Sequence, residues 1–343
     1  MIFEASPWQG AGRFHRKNKQ SIFSSLAVAV QIINRKQMRP DPMRASDQLL
    51  YHIARGLLRL LGRFPNNMRR RCAVLLGRFL FVVDRKHRRI TLDNLQRALG
   101  RERTTDQIHV IARRVFENLF HMVFEIGWSL HLSDKELADH VTLHGLNDYH
   151  NAMAKGRSLL VLTAHFGNWE LLTIVEYFVN NPIRIVYRPL DKPFLDRFFK
   201  ENRSRFGGKP IATRRGAMRQ IYKALKHGYP VAMLMDQNVD WYEGVFADFF
   251  NHRACTSNGM AMLALKSGAP VLPLFLIRTG NGFQAVVGPE LPTIRTGDAR
   301  KDVESNTQMY NRVIEIYARR FPDQWFWVHQ RWKTRPYESW PRR

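Results

Sequence analysis

Beyond Asp139 the sequence falls into short runs of β-branched and apolar residues separated by stretches of helical character, and this alternation narrows the possible folds more than any other feature. The runs Ser158–Thr163, Ile183–Tyr187, Val231–Met235, Val271–Ile277 and Phe283–Val287 have the length and composition of strands, with helical stretches between the first four. A strand that reaches its neighbour through a helix runs parallel to it. The expected class is therefore α/β, a mostly parallel sheet flanked by helices and preceded by basic amphipathic N-terminal helices. In such sheets reactive groups gather on loops at the carboxyl ends of strands, and His165 and Asp236 each follow a candidate strand directly.

The N-terminal third has a different texture. Residues 1–100 carry 20 Lys and Arg against 5 Asp and Glu, within a chain whose formal net charge is +25. Such an excess points to an anionic partner: a nucleic acid, a membrane surface, an acidic protein or a phosphorylated substrate. From Ser46 to Arg63 the residues Gln48, His52, Arg55, Arg59 and Arg63 recur at helical spacing, while Leu49, Leu50, Ile53, Leu57, Leu60 and Leu61 fill the other side. The segment Cys72–Val83 is more apolar, but Arg78 interrupts it and it is shorter than the roughly 20 residues that span a bilayer. A helix with leucines flanked by arginines can lie in the headgroup plane, each basic residue contributing about 1 kcal/mol near an anionic leaflet. The alternative is a core helix with a solvated arginine face.

A further helical pattern covers Val110–Leu132. Residues 43–337 are expected to form one domain, with 43–135 its helical membrane-associating part and 136–337 its α/β catalytic part. Residues 1–42, in which the prolines of MRPDPM prevent a continuous helix, read as a poorly ordered extension, with Met38 or Met43 as alternative starts. The N-terminus lacks the order of a signal peptide, so a cytoplasmic location is expected. Cys72 and Cys255 have neither CxxC nor Cys/His spacing, which argues against a zinc site or a disulfide framework.

The stretch VLTAHFGNWELL, residues 161–172, joins an apolar strand to an apolar helix. Gly167 permits a tight turn, Asn168 is a good N-cap, and Trp169–Val179 is helical in character. Glu170 would then lie in the first helical turn, where the helix dipole favours a negative charge, and could fold back to hold the His165 imidazole in one tautomer. An oriented histidine is a general base. The plainer alternative makes Glu170 a dipole-compensating acid and His165 a buried loop residue.

The spacing His165-Phe-Gly-Asn-Trp-Glu170 resembles the H-x4-D/E motif of glycerolipid and lipid A acyltransferases, and four more stretches are similar to the late lipid A biosynthesis acyltransferase family. They are RRITLDNLQRAL from Arg88, VYRPLDKPFLDRFFKENRSRFGG from Val186, LMDQNVDWYEGVFADFF from Leu234 and QWFWVHQRWKTRP from Gln324, so the resemblance runs from about Asp47 to Pro336. It implies transfer of a fatty acyl chain from an acyl carrier protein or coenzyme A thioester to a hydroxyl of a membrane glycolipid, foremost a lipid A precursor. The place implied is the cytoplasmic face of a bacterial inner membrane, and the attachment peripheral or monotopic. His165 and Glu170 are the implied catalytic residues. Arg205, Arg203 close by, Asp236, Asn168 and Arg188 are the implied substrate-binding residues, the guanidinium being a natural fork for phosphate. Backbone N–H groups from Gly167 to Trp169 could stabilise an oxyanion. No metal, bound cofactor or acyl-enzyme is required, since neither cysteine lies in a candidate site and no GxSxG elbow is present.

Asn238 stands where many lipid A enzymes carry a second acidic residue in the D-Q loop, so other acceptors, lysophospholipid or mannosylated phosphatidylinositol, stay open. Trp325, Trp327 and Trp332 with His329 and Arg331 are the composition of a packed tail. Two readings outside enzymology compete. Nucleic-acid binding would explain the charge, but the basic residues sit beside leucines and no zinc-finger or RNP pattern occurs. A non-catalytic basic membrane-binding protein would explain the N-terminal third but has no use for the His165 turn, the arginine pair and the D-Q loop together.

Overall fold

The computed structural model describes residues 44–336 apart from 157, 214, 215 and 281. The expected N-terminal extension therefore lies outside the described residues. Four helices come first: α1 (Ala45–Gly62), α2 (Asn66–Val83), α3 (Arg85–Leu99) and α4 (Thr105–Ser129). Local chemistry sets their ends. Asp84 accepts the His87 N–H at 3.1 Å and caps α3, while Thr104 and Gln107 form a reciprocal capping box at the start of α4. The other three helices pack on α4. Where α1 crosses it, Gly62 meets Gly127 so closely that a Cβ on Gly127 would stand 2.2 Å from the Leu58 carbonyl oxygen.

The apolar side of these helices is turned outward to a degree that a core helix does not show. Leu49, Ile53, Leu57 and Leu60 of α1 are more than half exposed, as are Leu75, Phe79, Val82 and Val83 of α2, with Leu75 at 66%. Large apolar side chains exposed in this number along a helix face mark an interaction surface. No helix among the described residues is long and apolar enough to cross a membrane.

After the short α5 (Asp134–Ala138) the chain builds a seven-stranded sheet. Its strands are β1 (Val141–His144), β2 (Leu160–Thr163), β3 (Arg184–Tyr187), β4 (Ile211–Ala212), β5 (Val231–Leu234), β8 (Val271–Arg278) and β9 (Phe283–Val287), in the spatial order β1-β9-β8-β2-β5-β3-β4. The five strands from β8 to β4 are parallel, and β9 turns back antiparallel on β8 and pairs parallel with β1. The connecting helices are α6 (Leu146–Met153), α7 (Val175–Val179), α8 (Pro193–Arg203), α9 (Ala217–Lys226) and α10 (Gly259–Ser267), followed at the end by α11 (Ala299–Arg320). Two apolar clusters share the sheet, drawing on alternate residues of β2: Leu160 and Leu162 belong to one, Val161 to the other. All four residues of β2 are buried, which accounts for its unbroken hydrophobic run.

All five expected strands are present within two residues of their expected bounds. Four others had no signal in the sequence. β1 and β4 are only four and two residues long, and β6 (Gly244–Phe249) and β7 (His252–Ser257) form a separate hairpin whose turn residues Phe250 and Asn251 have φ of 52° and 60°. A bulky aromatic is among the last residues expected in the left-handed region, so this turn lacks the usual Asn-Gly signature.

The α1–α4 crossing yields a paired test. Gly127→Ala should lower stability by about 1–3 kcal/mol in denaturant unfolding, because the two backbones must part. Gly56→Ala, in the same helix α1 but with nothing within 4 Å of the added carbon, should raise it by about 0.5–1 kcal/mol. Equal effects at the two positions would contradict the close crossing.

Candidate active site

The carboxyl edge of the sheet brings together residues that are far apart in sequence. Arg278 ends β8, His165 follows β2, Asp236 follows β5 and Arg188 follows β3, so the four stand in that spatial order on neighbouring parallel strands. Between β2 and His165 lies only Ala164, and the chain then turns at Gly167, whose φ of +58° and position leave no room for a side chain: a Cβ there would stand 2.0 Å from the Leu276 carbonyl oxygen. The turn is held from outside by the tail. Gly167 N–H donates to the Gln324 carbonyl at 2.9 Å, and Phe326 N–H donates to the His165 carbonyl at 3.0 Å.

This local course corrects the expected strand-to-helix join. After Gly167 the chain makes a turn, then a 3₁₀ segment at Leu172–Ile174, and reaches α7 only at Val175. Glu170 is therefore not in a first helical turn, and Asn168 caps no helix with its side chain: its amide donates to Glu125 Oε2 at 2.9 Å and to the Met122 carbonyl at 3.4 Å. Nor is the Gly167 N–H available for an oxyanion, since Gln324 accepts it.

The carboxylate that holds His165 is Asp236, not Glu170. Asp236 Oδ1 lies 2.8 Å from His165 Nδ1, and Oδ2 accepts the His165 backbone N–H at 3.0 Å and the Trp325 indole N–H at 2.8 Å. The Asp236 side chain has no exposed surface. Burial on its own would raise the carboxyl's pKa, but the neighbouring imidazole, its hydrogen bond and His329 outweigh it and bring the carboxyl down to about 2. Asp236 is thus a carboxylate, which can only accept, so in its neutral form the His165 ring carries its proton on Nδ1 and its lone pair on Nε2. Nε2 lies toward the Gln237 side-chain amide, 3.4 Å away, in a side chain that keeps 21% of its surface exposed. Trp169 and Phe326 flank the imidazole with ring centroids at 5.1 and 5.9 Å.

Glu170 is buried and belongs to a second pair. It takes a two-pronged contact from Arg203, Nη2 to Oε1 at 2.6 Å and Nε to Oε2 at 2.9 Å, and accepts the Trp169 indole N–H at 3.1 Å. Attraction to Glu170 raises the Arg203 pKa against the opposing effect of burial. Arg205 is placed elsewhere: it pairs with Asp134 at 2.8 Å and donates to the carbonyls of Ser129 and Leu132 at 2.8 and 2.6 Å, tying α8's end to the α4–α5 junction. Its fork is filled by protein, which removes it from phosphate recognition as arranged here. Arg188 is exposed at the edge of the site.

The C-terminal tail is more than packing. Trp325 is fully buried and supplies one of the three donors to Asp236, a role the sequence reading missed. The usable signal was chemical: a buried indole N–H needs an acceptor, and a lone aspartate after a buried strand needs donors. Arg331, also fully buried, donates to the Cys255 carbonyl at 2.9 Å and Thr256 Oγ1 at 2.6 Å, and burial lowers its pKa to about 10. Asn238 and Thr334 exchange hydrogen bonds of 3.0 and 3.1 Å, an exchange an amide can make and a carboxylate cannot.

Comparisons with known proteins place the chain in a family. Residues 41–334 match the family model of the bacterial lipid A biosynthesis acyltransferases. The chain is 27% identical over 284 residues to a lipid A biosynthesis lauroyltransferase of Escherichia coli K12, covering 82% of this chain and 90% of that protein. It is 27% identical over 250 residues to a lipid A biosynthesis palmitoleoyltransferase of the same organism, covering 72% and 79%. A phosphatidylinositol mannoside acyltransferase of Mycolicibacterium smegmatis is 25% identical over 187 residues, 53% of this chain and 59% of that protein. With a match that spans most of its length and a paired histidine and carboxylate on the sheet edge, the chain belongs to the bacterial lipid A biosynthesis acyltransferase family and is an acyltransferase.

Proposed function

We propose that the protein transfers a fatty acyl chain from an acyl carrier protein thioester to a hydroxyl of a lipid A precursor, with His165 as general base held in register by Asp236. The observation that carries this reading is the His165 Nδ1 to Asp236 Oδ1 contact of 2.8 Å, which leaves Nε2 basic at the open side of the turn. As the acceptor oxygen attacks the thioester carbonyl, Nε2 takes the hydroxyl proton. The imidazolium that forms is stabilised by the Asp236 carboxylate. Collapse of the tetrahedral intermediate breaks the carbon–sulfur bond, and the departing thiolate takes the proton back from Nε2. The step as written uses no metal and no bound cofactor. Glu170, the expected partner of His165, acts in this reading by fixing Arg203 and the Trp169 ring that lies against the imidazole.

The acceptor assignment is supported by the two Escherichia coli relatives, which act on lipid A biosynthesis by name. A mannosylated phosphatidylinositol is the second reading, favoured by the mycobacterial relative. The donor assignment is supported by charge: acyl carrier proteins are acidic, and a chain with a net charge of +25 accelerates their encounter electrostatically. Peripheral attachment to a membrane, here placed at the cytoplasmic face of the inner membrane, is supported by the outward apolar faces of α1 and α2 with arginines beside them, and no spanning helix occurs among the described residues.

Two sets of variants test this. His165→Ala should lower kcat/KM by about 10²- to 10⁴-fold in a protein that is still folded at the assay temperature by circular dichroism, with a lowered unfolding midpoint because Asp236 loses a donor, and Asp236→Asn should follow it closely in activity because the amide no longer fixes the tautomer. Near wild-type turnover in His165→Ala would refute the general-base role. For the membrane face, Leu75→Asp with Phe79→Asp should weaken binding to anionic vesicles at least about tenfold in a flotation assay, since two large apolar side chains contribute about 1.5–3 kcal/mol each when buried. Unchanged vesicle binding would place the membrane contact elsewhere.

A further inference from the structure

A cavity lies on the same edge of the sheet as His165, between α2, α4 and the end of β8. Its volume is about 160 Å³, and its walls include Arg69, Arg70, His121, Glu125, Trp128 and Arg278. The charges in it do not balance. Glu125 is the acid in this wall, and it is already held by Arg278, with Nη2 to Oε2 at 2.7 Å, and by the Asn168 amide. Among the described residues neither Arg69 nor Arg70 has a carboxylate within ion-pair distance.

Arg69 makes the imbalance acute. Its guanidinium lies over the Trp128 ring, 5.0 Å from the centroid, and its Nε is buried without a hydrogen-bond partner. Burial lowers its pKa despite the pull of Glu125. The side chain is only partly buried, and its unpaired Nε–H carries a desolvation cost that an anionic ligand offsets. His121 is neutral in this setting, since burial, with Arg278 adding to it, lowers its pKa to about 4; it offers a donor without another positive charge.

We propose that this cavity is a phosphate-monoester site, in which Arg69 and Arg70 bind a phosphate on the headgroup of the acceptor lipid. Two guanidinium groups without a carboxylate partner among the described residues match a charge of about −1.5 to −2 on a phosphate monoester better than the single charge of a phosphodiester. The placement fits a lipid: Arg69 and Arg70 follow the exposed Met68 on α2, the helix whose outer face carries Leu75 and Phe79, so a headgroup phosphate can enter while its chains stay in the bilayer. The Arg278–Glu125–Asn168 chain of contacts links the cavity to the turn three residues beyond His165. A phosphate held here therefore sets the distance between the headgroup and the catalytic base. The assignment to the acceptor rests on the acyl transfer proposed above; the anion site itself does not.

The experiment has two arms, both on the full chain in detergent micelles. In the first, inorganic phosphate is titrated against thermal unfolding, with chloride at equal ionic strength as the reference. A saturable, phosphate-specific rise in the midpoint is expected in the wild type, and its loss in Arg69→Gln and in Arg70→Gln; Arg70 is exposed, so its replacement leaves the packing intact. No rise beyond that of chloride, or an undiminished rise in Arg70→Gln, overturns the site. In the second arm, acyl transfer is measured to the phosphorylated acceptor and to its dephosphorylated form. Both variants should raise KM for the phosphorylated acceptor about tenfold or more, with kcat little changed, and leave the dephosphorylated acceptor and the donor unaffected. Equal losses on both acceptors, or a rise confined to the donor's KM, would overturn the assignment to the acceptor phosphate. A phosphate-specific shift in a protein that transfers no acyl group would refute the acyl-transfer reading and leave the anion site standing.

Discussion

The buried carboxylate of Asp236 organises the edge of the sheet that carries His165. A charge without exposed surface is tolerable only when its lone pairs are met, and three donors from two distant parts of the chain meet them: the His165 ring and backbone, and the Trp325 indole. The same set of contacts does three things at once. It keeps Asp236 ionised, it assigns the His165 proton to Nδ1, and it draws the C-terminal tail across the turn that carries His165. The backbone contacts from Gln324 and Phe326 to that turn are the mechanical complement of the charge. The geometry of the His165–Asp236 pair and closure of the fold are therefore one structure, since loosening the tail would also release a donor from Asp236.

The helices α1 to α4 stand in a different physical regime. Two of them are pressed together at Gly62 and Gly127, while large apolar side chains of α1 and α2 face outward. Water is a poor environment for that face, and a bilayer interface is a good one. The cavity with Arg69 and Arg70 lies where this region meets the sheet, so the surface suited to lipid chains and the surface suited to a lipid phosphate are neighbours.

Much of the fold could be read from residues alone because the central strands are buried on both faces and are spelled as unbroken apolar runs, as in Leu160–Thr163 and Val271–Ile277. The edge strands Val141–His144 and Ile211–Ala212 are too short for such a pattern, and the Phe250–Asn251 turn contradicts ordinary turn chemistry. At the site, His165 and Asp236 were visible as residues following strands, but their pairing was not, because β2 and β5 become neighbours only through the order of the sheet. Proximity in sequence favoured Glu170, which the fold gives to Arg203. Arg205 shows the same limit: a guanidinium suited to phosphate was legible, but the carbonyls of Ser129 and Leu132 that fill its fork are more than 70 residues away.

The central claim is that Asp236, rather than Glu170, fixes the protonation of His165. It is tested most directly by the tautomer of the His165 imidazole, read from ¹⁵N chemical shifts of histidine-labelled protein at a pH where the ring is neutral. The expected result is a single tautomer with the proton on Nδ1, lost in Asp236→Asn and retained in Glu170→Gln. A proton on Nε2 in the wild type, or a tautomer that changes with Glu170 and not with Asp236, would contradict it.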